Sequence, residues 1–340
     1  MTDTGMMMRV HTERGPLVAE RVELSTPPRG WVRIRITASG VCNADLNTVK
    51  AHGASLPVTP GHEIAGVIDA LGEGVKGWGL GENVAVGWFG GSCGHCDFCR
   101  SGDVVHCAER KIPGLSYPGG WAESVIVPAD ALARIPEGLD PFDAAPMGCA
   151  GVTTFNAVRV ADVPAGGRVA VFGIGGLGHL AVQFAARMGY EVVAIARGTE
   201  REELARSLGA QHYIDSEDRE PGAALQELGG VDLIISTAAT TKPVSELIAG
   251  LRVGGKLMLL GVDDGVVEVP VAQVVMKSLT VTGHLTGSPR DIEETMQFAL
   301  LNNVRPLIER MPIEQAERAV AELAAGTPRF RIVLDATASR

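Results

Sequence analysis

The chain has 340 residues, a formal net charge of −10, 46% hydrophobic and 21% charged residues, and 43 glycines. That length suits two domains and the apolar content suits real cores, while the acidic balance excludes a nucleic-acid surface built from clustered Lys and Arg. No apolar run approaches the roughly 20 residues of a membrane span, and Met1 to Val10 lacks the apolar core of a signal peptide; a cytoplasmic protein with reduced cysteines is expected.

The methionine cluster Met6–Met8 carries no pattern beyond that of a terminus open to fraying. Further on, Val32, Ile34 and Ile36 alternate with Arg33, Arg35 and Thr37, the period of a half-buried strand. Turn signals recur at Pro60-Gly61 and Pro118-Gly119-Gly120. Residues 1–150 therefore read as a β-rich domain.

Within it, Cys93, Cys96, Cys99 and Cys107 follow a C-x2-C-x2-C spacing with the fourth thiol seven residues later. Two-residue spacers turn neighbouring thiolates onto one ion, and four thiolates close a tetrahedral zinc shell. With no open position, zinc in this lobe (residues 91–108) would be structural. A disulfide pair and an iron–sulfur cluster are the alternatives; His95 and His106 read as solvated loop residues. Two cysteines remain, Cys42 and Cys149, with His62-Glu63 between them. Two thiolates and one imidazole match a zinc site that keeps its fourth position open, though each residue alone is equally a packing residue.

From about residue 151 the pattern changes. Short apolar runs at Val169–Phe172, Val192–Ala196, His212–Ile214, Asp232–Ser236, Lys256–Gly261 and Thr280–Leu285 alternate with helical stretches, which implies a doubly wound α/β sheet over 151–287. The first run leads into Gly173-Ile174-Gly175-Gly176-Leu177-Gly178. Leu177, Leu180, Ala181, Phe184, Ala185 and Met188 then fall on one helical face, and Gly189 is placed to end the helix. Between a strand and an amphipathic helix this motif binds a dinucleotide: the helix N-terminus offers N–H groups to the pyrophosphate and side chains would block it. The tip of the next strand carries no acid for a ribose 2′-hydroxyl. It carries Arg197, followed by Thr199 and Arg201, and a guanidinium suits a 2′-phosphate. NADP(H) is thus favoured over NAD(H); an Arg197 stacked on adenine would leave NAD in use. Residues 288–340, with a helix near Asp291–Leu301 and a strand near Arg331–Leu334, are too few for a domain.

Gly40-Val41-Cys42-x-x-Asp45, Pro60-Gly61-His62-Glu63-x-x-Gly66, the four-cysteine lobe, Cys149-Ala150-Gly151-Val152-Thr153 and the glycine motif stand in one order along the chain. In these motifs the sequence resembles the zinc-dependent medium-chain alcohol dehydrogenases, and at Arg197 their NADP-using cinnamyl-alcohol-type branch. The resemblance implies a GroES-like catalytic domain (1–150 and 288–340) with a Rossmann cofactor domain (151–287) inserted. It implies two zinc ions per chain. Cys42, His62 and Cys149 would bind the catalytic one, with Glu63 a nearby, sometimes coordinating carboxylate and Asp45 holding His62 through its other ring nitrogen. Thr153 would lie near the nicotinamide, and Trp88 would line the substrate pocket unless it is ordinary core. A small alcohol or carbonyl substrate and a homodimer or homotetramer are expected.

One departure stands out. Many relatives carry Ser or Thr two residues after the first zinc cysteine and His three further on, a proton relay; here the positions are Ala44 and Asn47, and neither titrates as that relay does. Asn43 also stands where some relatives have a basic residue. Reduction of C=C or C=N bonds on the same scaffold is therefore an alternative, and a non-catalytic cofactor-binding protein is a third.

Overall fold

The computed structural model describes residues 4–51, 55–238, 242–262 and 264–338. Seven strands come first: β1 (Thr4–Val10), β2 (Leu17–Glu23), β3 (Trp31–Val41), β4 (Ile64–Leu71), β5 (Asn83–Val86), β6 (Ser124–Pro128) and β7 (Ala133–Arg134). Six more, β8 (Arg168–Phe172), β9 (Glu191–Ala196), β10 (His212–Asp215), β11 (Val231–Ser236), β12 (Leu251–Leu259) and β13 (Thr280–Gly283), alternate with helices. Two strands close the chain, β14 (Ile308–Pro312) and β15 (Arg331–Asp335). By contacts the chain forms two compact units. One comprises 1–152, 286–300 and 306–340; the other comprises 153–285 and 301–305.

The first unit is built on one sheet of order β14-β15-β3-β4-β5-β7, with β6 also pairing β3. The alternation read from the sequence is realised in β3, where Val32, Ile34, Ile36 and Ala38 are fully buried. β3 is long enough to pair β6 along its first half and β15 along its second. The last strand of the chain is thereby laid beside Gly40 and Val41, next to Cys42. The helix near residue 291 spans Pro289–Asn302, somewhat longer than its sequence signal.

The methionine cluster is not frayed. Met6–Met8 lie in β1, which forms a hairpin with β2 and buries Met6 and Met8 in the core of this unit. The Met8 amide donates to the Trp121 carbonyl at 2.9 Å, and the Met6 amide donates to Glu123 Oε2 at 2.7 Å. Three consecutive methionines show no apolar–polar alternation in the sequence, and unbranched methionine is a weak strand signal.

In the second unit all six strands are parallel, in the order β10-β9-β8-β11-β12-β13. The chain reverses winding direction between β8 and β11, and ligands of such sheets bind at the carboxyl ends of the strands flanking that point. β12 begins five residues earlier than its apolar run because Arg252-Val253-Gly254-Gly255 is still strand, with a shift in register against β11 between Val231 and Leu233.

Met8→Ala should lower the unfolding free energy by ~2–5 kcal/mol, the usual loss for a truncated core side chain. Urea denaturation checks this; a loss under ~0.5 kcal/mol would return β1 to the status of a loose end.

Candidate metal centre and cofactor loop

Cys42 follows directly on β3, and His62-Glu63 directly precede β4, so the pairing of these two strands brings them together. Cys149 arrives on the helical turn Met147–Gly151. Ligand atoms of Cys42, His62, Glu63 and Cys149 all lie within 4.8 Å of one another. The Cys42 and Cys149 sulfurs are 3.9 Å apart, close to the ~3.8 Å that two thiolates subtend on a tetrahedral zinc.

Asp45 organises the cluster. Its Oδ2 accepts from the Cys42 amide at 2.9 Å, and its Oδ1 accepts from the Gly61 amide at 3.2 Å and lies 3.0 Å from His62 Nδ1. That contact places a ring proton on Nδ1 and turns Nε2 inward, where a cation that displaces its proton meets the lone pair. His62 Nε2 is buried without a hydrogen-bond partner, the kind of orphan a cation satisfies. Burial alone would depress the imidazole pKa, but Asp45 and the Cys42 thiolate outweigh it and hold it well above the ordinary value. The Cys42 thiol is held low by its hydrogen bond with Cys149, whose own thiol is pushed up by the same bond and by burial. A buried pocket that favours a thiolate at Cys42 and holds protons on its neighbours His62 and Cys149 offers a divalent cation the same electrostatic welcome. The residues present therefore fit zinc.

Glu63 is fully buried, and Arg331 Nη2 donates to its two oxygens at 2.5 and 2.6 Å. Burial lifts the Glu63 carboxyl to about 7, and the guanidinium pulls the other way. Position 40 must be glycine for this pair to exist: a Cβ there would stand 1.9 Å from Glu63 Oε2. Arg331 was missed in the sequence, where it reads as the first residue of an apolar strand. A lone arginine heading Ile332-Val333-Leu334 was the available signal.

All six cysteines of the chain are free thiols, and in the cysteine lobe the sulfurs of Cys93 and Cys99 are 4.0 Å apart and those of Cys96 and Cys99 3.5 Å apart, far beyond a disulfide bond length. Cys93, Cys96, Cys99 and Cys107 converge as one potential ligand set. Backbone amides prepare it for anions: Cys93 and Glu109 amides donate to Cys107 Sγ at 3.3 Å each. The His95 amide, against desolvation and with help from the Cys96 amide, brings Cys93 down to about 6. Both histidines are exposed as expected, but neither is merely solvated. His95 Nδ1 lies 2.8 Å from Cys93 Sγ, and His106 Nδ1 lies 2.8 Å from the Asp103 carboxylate.

The remaining residues are more loosely placed. Ala44 caps the short helix Asp45–Thr48 and is exposed, as are Asn43 and Asn47, the latter accepting from Lys50 Nζ at 3.5 Å. Trp88 is half-buried, its amide donating to the Gly148 carbonyl at 3.3 Å, one residue from Cys149, and its ring 5.7 Å from the Arg110 guanidinium.

In the second unit, β8 runs into Gly173 (φ +89°) and the loop Gly173–Leu177, and the helix Gly178–Arg187 follows, its chain continuing to Gly189 (φ +88°). A Cβ at Gly178 would lie 1.8 Å from the Gly173 carbonyl oxygen, so only glycine lets the helix start this close to the strand. A Cβ at Gly175 would meet only open space, which keeps that side of the loop clear. Thr237, just past β11, donates its hydroxyl to the Gly173 carbonyl at 2.6 Å and fixes the loop. Gly176 and Leu177 are half-exposed, Thr153 is buried, Arg197 and Thr199 are exposed and Arg201 is half-buried.

Two family models match the chain: the alcohol dehydrogenase GroES-like domain over residues 28–137 and the zinc-binding dehydrogenase domain over 176–300. An alcohol dehydrogenase of Penicillium expansum is 40% identical over 96% of each chain. Among solved structures, a cinnamyl alcohol dehydrogenase of Sorghum bicolor is 30% identical over 99% of each chain with a TM-score of 0.89. The CAD of Helicobacter pylori complexed with NADP(H) is 26% identical over 99% of each chain with a TM-score of 0.88.

Arg331→Ala should cost ~3–5 kcal/mol of stability by leaving Glu63 buried and unpaired, and Glu63→Gln in the same chain should restore part of it. Urea denaturation of the metal-free protein measures the cycle. A single-variant loss below ~1 kcal/mol would mean that Glu63 is held as the neutral acid and does not need its arginine.

Proposed function

The chain belongs to the medium-chain zinc alcohol dehydrogenase family, and from that premise we propose that it interconverts a small or aromatic alcohol and its aldehyde or ketone, using NADP(H) in preference to NAD(H) and two zinc ions. The observation that carries this reading is the buried, unpartnered His62 Nε2 facing two thiols.

Zinc bound there supplies a Lewis acid for the substrate oxygen, and the nicotinamide cofactor gives or takes the hydride. Cys42, Cys149 and His62 would hold the ion, and Asp45 keeps the His62 lone pair aimed at it. Arg331 holds both Glu63 oxygens, so Glu63 stands beside the three ligands as a tethered carboxylate. Cys93, Cys96, Cys99 and Cys107 would hold the second ion in a closed shell. The Gly173–Gly178 loop would receive the pyrophosphate, with Thr153 near the nicotinamide and Arg197, Thr199 and Arg201 at the ribose. The NADP(H) bound to the Helicobacter pylori relative is consistent with that choice.

Proton transfer takes a different course from the usual relay. Ala44 has no hydroxyl, and Asn47 lies exposed without a titratable group. The alcohol proton would leave through water. This same observation favours the second reading, reduction of an activated C=C or C=N bond, in which that relay carries less of the burden.

Metal analysis of the purified protein should find about two zinc ions per chain, falling to about one in His62→Ala. Benzaldehyde reduction, followed by cofactor absorbance, should proceed with NADPH and far more slowly with NADH, and Arg197→Ala should raise the KM for NADPH roughly tenfold. Turnover with NADH alone would overturn the cofactor choice and leave the enzyme class. Tight cofactor binding with full zinc but no turnover would turn the reading to C=C or C=N reduction.

A further inference from the structure

We propose that Asp215 is a specificity-determining residue that limits preference for a 2′-phosphorylated cofactor; this rests on the nicotinamide-cofactor reading of the glycine loop. The tip of β9 has no acid of its own, but the neighbouring strand brings one. β10 runs parallel to β9 with Asp215 beside Ala196, so both strands end at the same level, where β9 passes into Arg197-Gly198-Thr199. Asp215 Oδ1 accepts from the Gly198 amide at 2.8 Å and from the Glu217 amide at 2.9 Å. From two residues earlier on β10, the Tyr213 hydroxyl donates to the Gly198 carbonyl at 2.7 Å. Glu200 folds onto the same glycine: a Cβ at position 198 would lie 2.4 Å from Glu200 Oε2.

A ribose 2′-phosphate is recognised by guanidinium groups and by backbone N–H groups left free at a turn. Here the Gly198 N–H is already taken by a carboxylate, and that fixed negative charge stands one residue from Arg197. A dianionic phosphate entering the turn meets like charge; a 2′-hydroxyl does not, and can donate to a carboxylate. Asp215 thus opposes Arg197. The arginine attracts the phosphate, the aspartate limits how much of that attraction is expressed, and NAD(H) stays usable. Charge acts here together with the latch that Asp215 and Tyr213 place on Gly198, and the two contributions separate experimentally.

The test is fluorescence titration of the full-length, zinc-loaded protein with NADPH and with NADH. Asp215→Asn keeps an acceptor oxygen for both amides and removes the charge. It should tighten NADPH about tenfold while NADH moves less than about twofold. Tyr213→Phe breaks the other latch without changing charge and should shift both cofactors alike. Equal shifts of the two cofactors in Asp215→Asn, or none, would overturn the proposal and reduce Asp215 to a structural latch. Should circular dichroism show Asp215→Asn unfolded, Asp215→Ser is read by the same criterion. If Arg197→Ala leaves NADPH binding unchanged while Asp215→Asn still tightens it, the Arg197 assignment fails and Asp215 stands. Failure of the wild-type protein to bind either cofactor rejects both.

Discussion

The first unit is organised around the cost of burying anions. Cys42, His62, Glu63 and Asp45 are all buried and Cys149 is half-buried, beside a sheet whose buried side chains are mostly valine, isoleucine and alanine. Unpaired charge in such surroundings costs several kcal/mol per group. Every acid here is accordingly answered. Asp45 spends its oxygens on two backbone amides and an imidazole, and Glu63 spends both of its own on Arg331. Among the described residues Arg331 is the one lysine or arginine that is buried. What these contacts leave unanswered is a lone pair on His62 and two sulfurs, and that remainder defines a cation site.

This constraint explains features of the fold that otherwise look unrelated. β15, the last strand, lies along the end of β3, where it delivers Arg331 to Glu63. Gly40 on β3 has no side chain because the carboxylate occupies that space. The 268 residues separating the two partners make the pair a long-range tie that closes the unit around its site. The second unit solves a different problem, that of bringing a helix start close to a strand end. There Gly178 lets the helix start close to the strand, the Thr237 hydroxyl holds the Gly173 carbonyl, and charged side chains stand at the strand tips.

Much of this was legible in the sequence, for identifiable reasons. Metal ligands are few in type and fixed in spacing, so Cys93-x-x-Cys96-x-x-Cys99 announces itself. The glycine loop is equally plain, because its residue types are forced by backbone geometry. Strand existence in the second unit followed from apolar runs, while the start of β12 did not, since Gly254-Gly255 reads as a turn until a neighbouring strand pairs with it. Met6–Met8 failed for a related reason: methionine has no strong backbone preference, and only the core it enters makes it a strand. The two residues that most change the chemistry, Arg331 and Asp215, were hidden because their partners are distant in sequence. Nothing near Arg331 signals Glu63, and an acid search along β9 alone never reaches the tip of β10.

The departure at Ala44 bears on how the two jobs of such a site can come apart. Polarising an oxygen needs a cation, and the groups that would hold one form a complete set, each ligand positioned by a further contact. Removing a proton needs a path, and that path depends on side chains outside the set, on the exposed face of the short helix after Cys42. The electrostatic constraint ties the ligands to one another but does not reach Ala44 or Asn47, neither of which bonds to a ligand. Substitution there leaves the cation site's charge balance untouched. A chain under this constraint can therefore lack the relay and still keep a complete set of groups for a cation, and the chemistry that would follow is decided by whether the substrate needs to give up a proton at that oxygen.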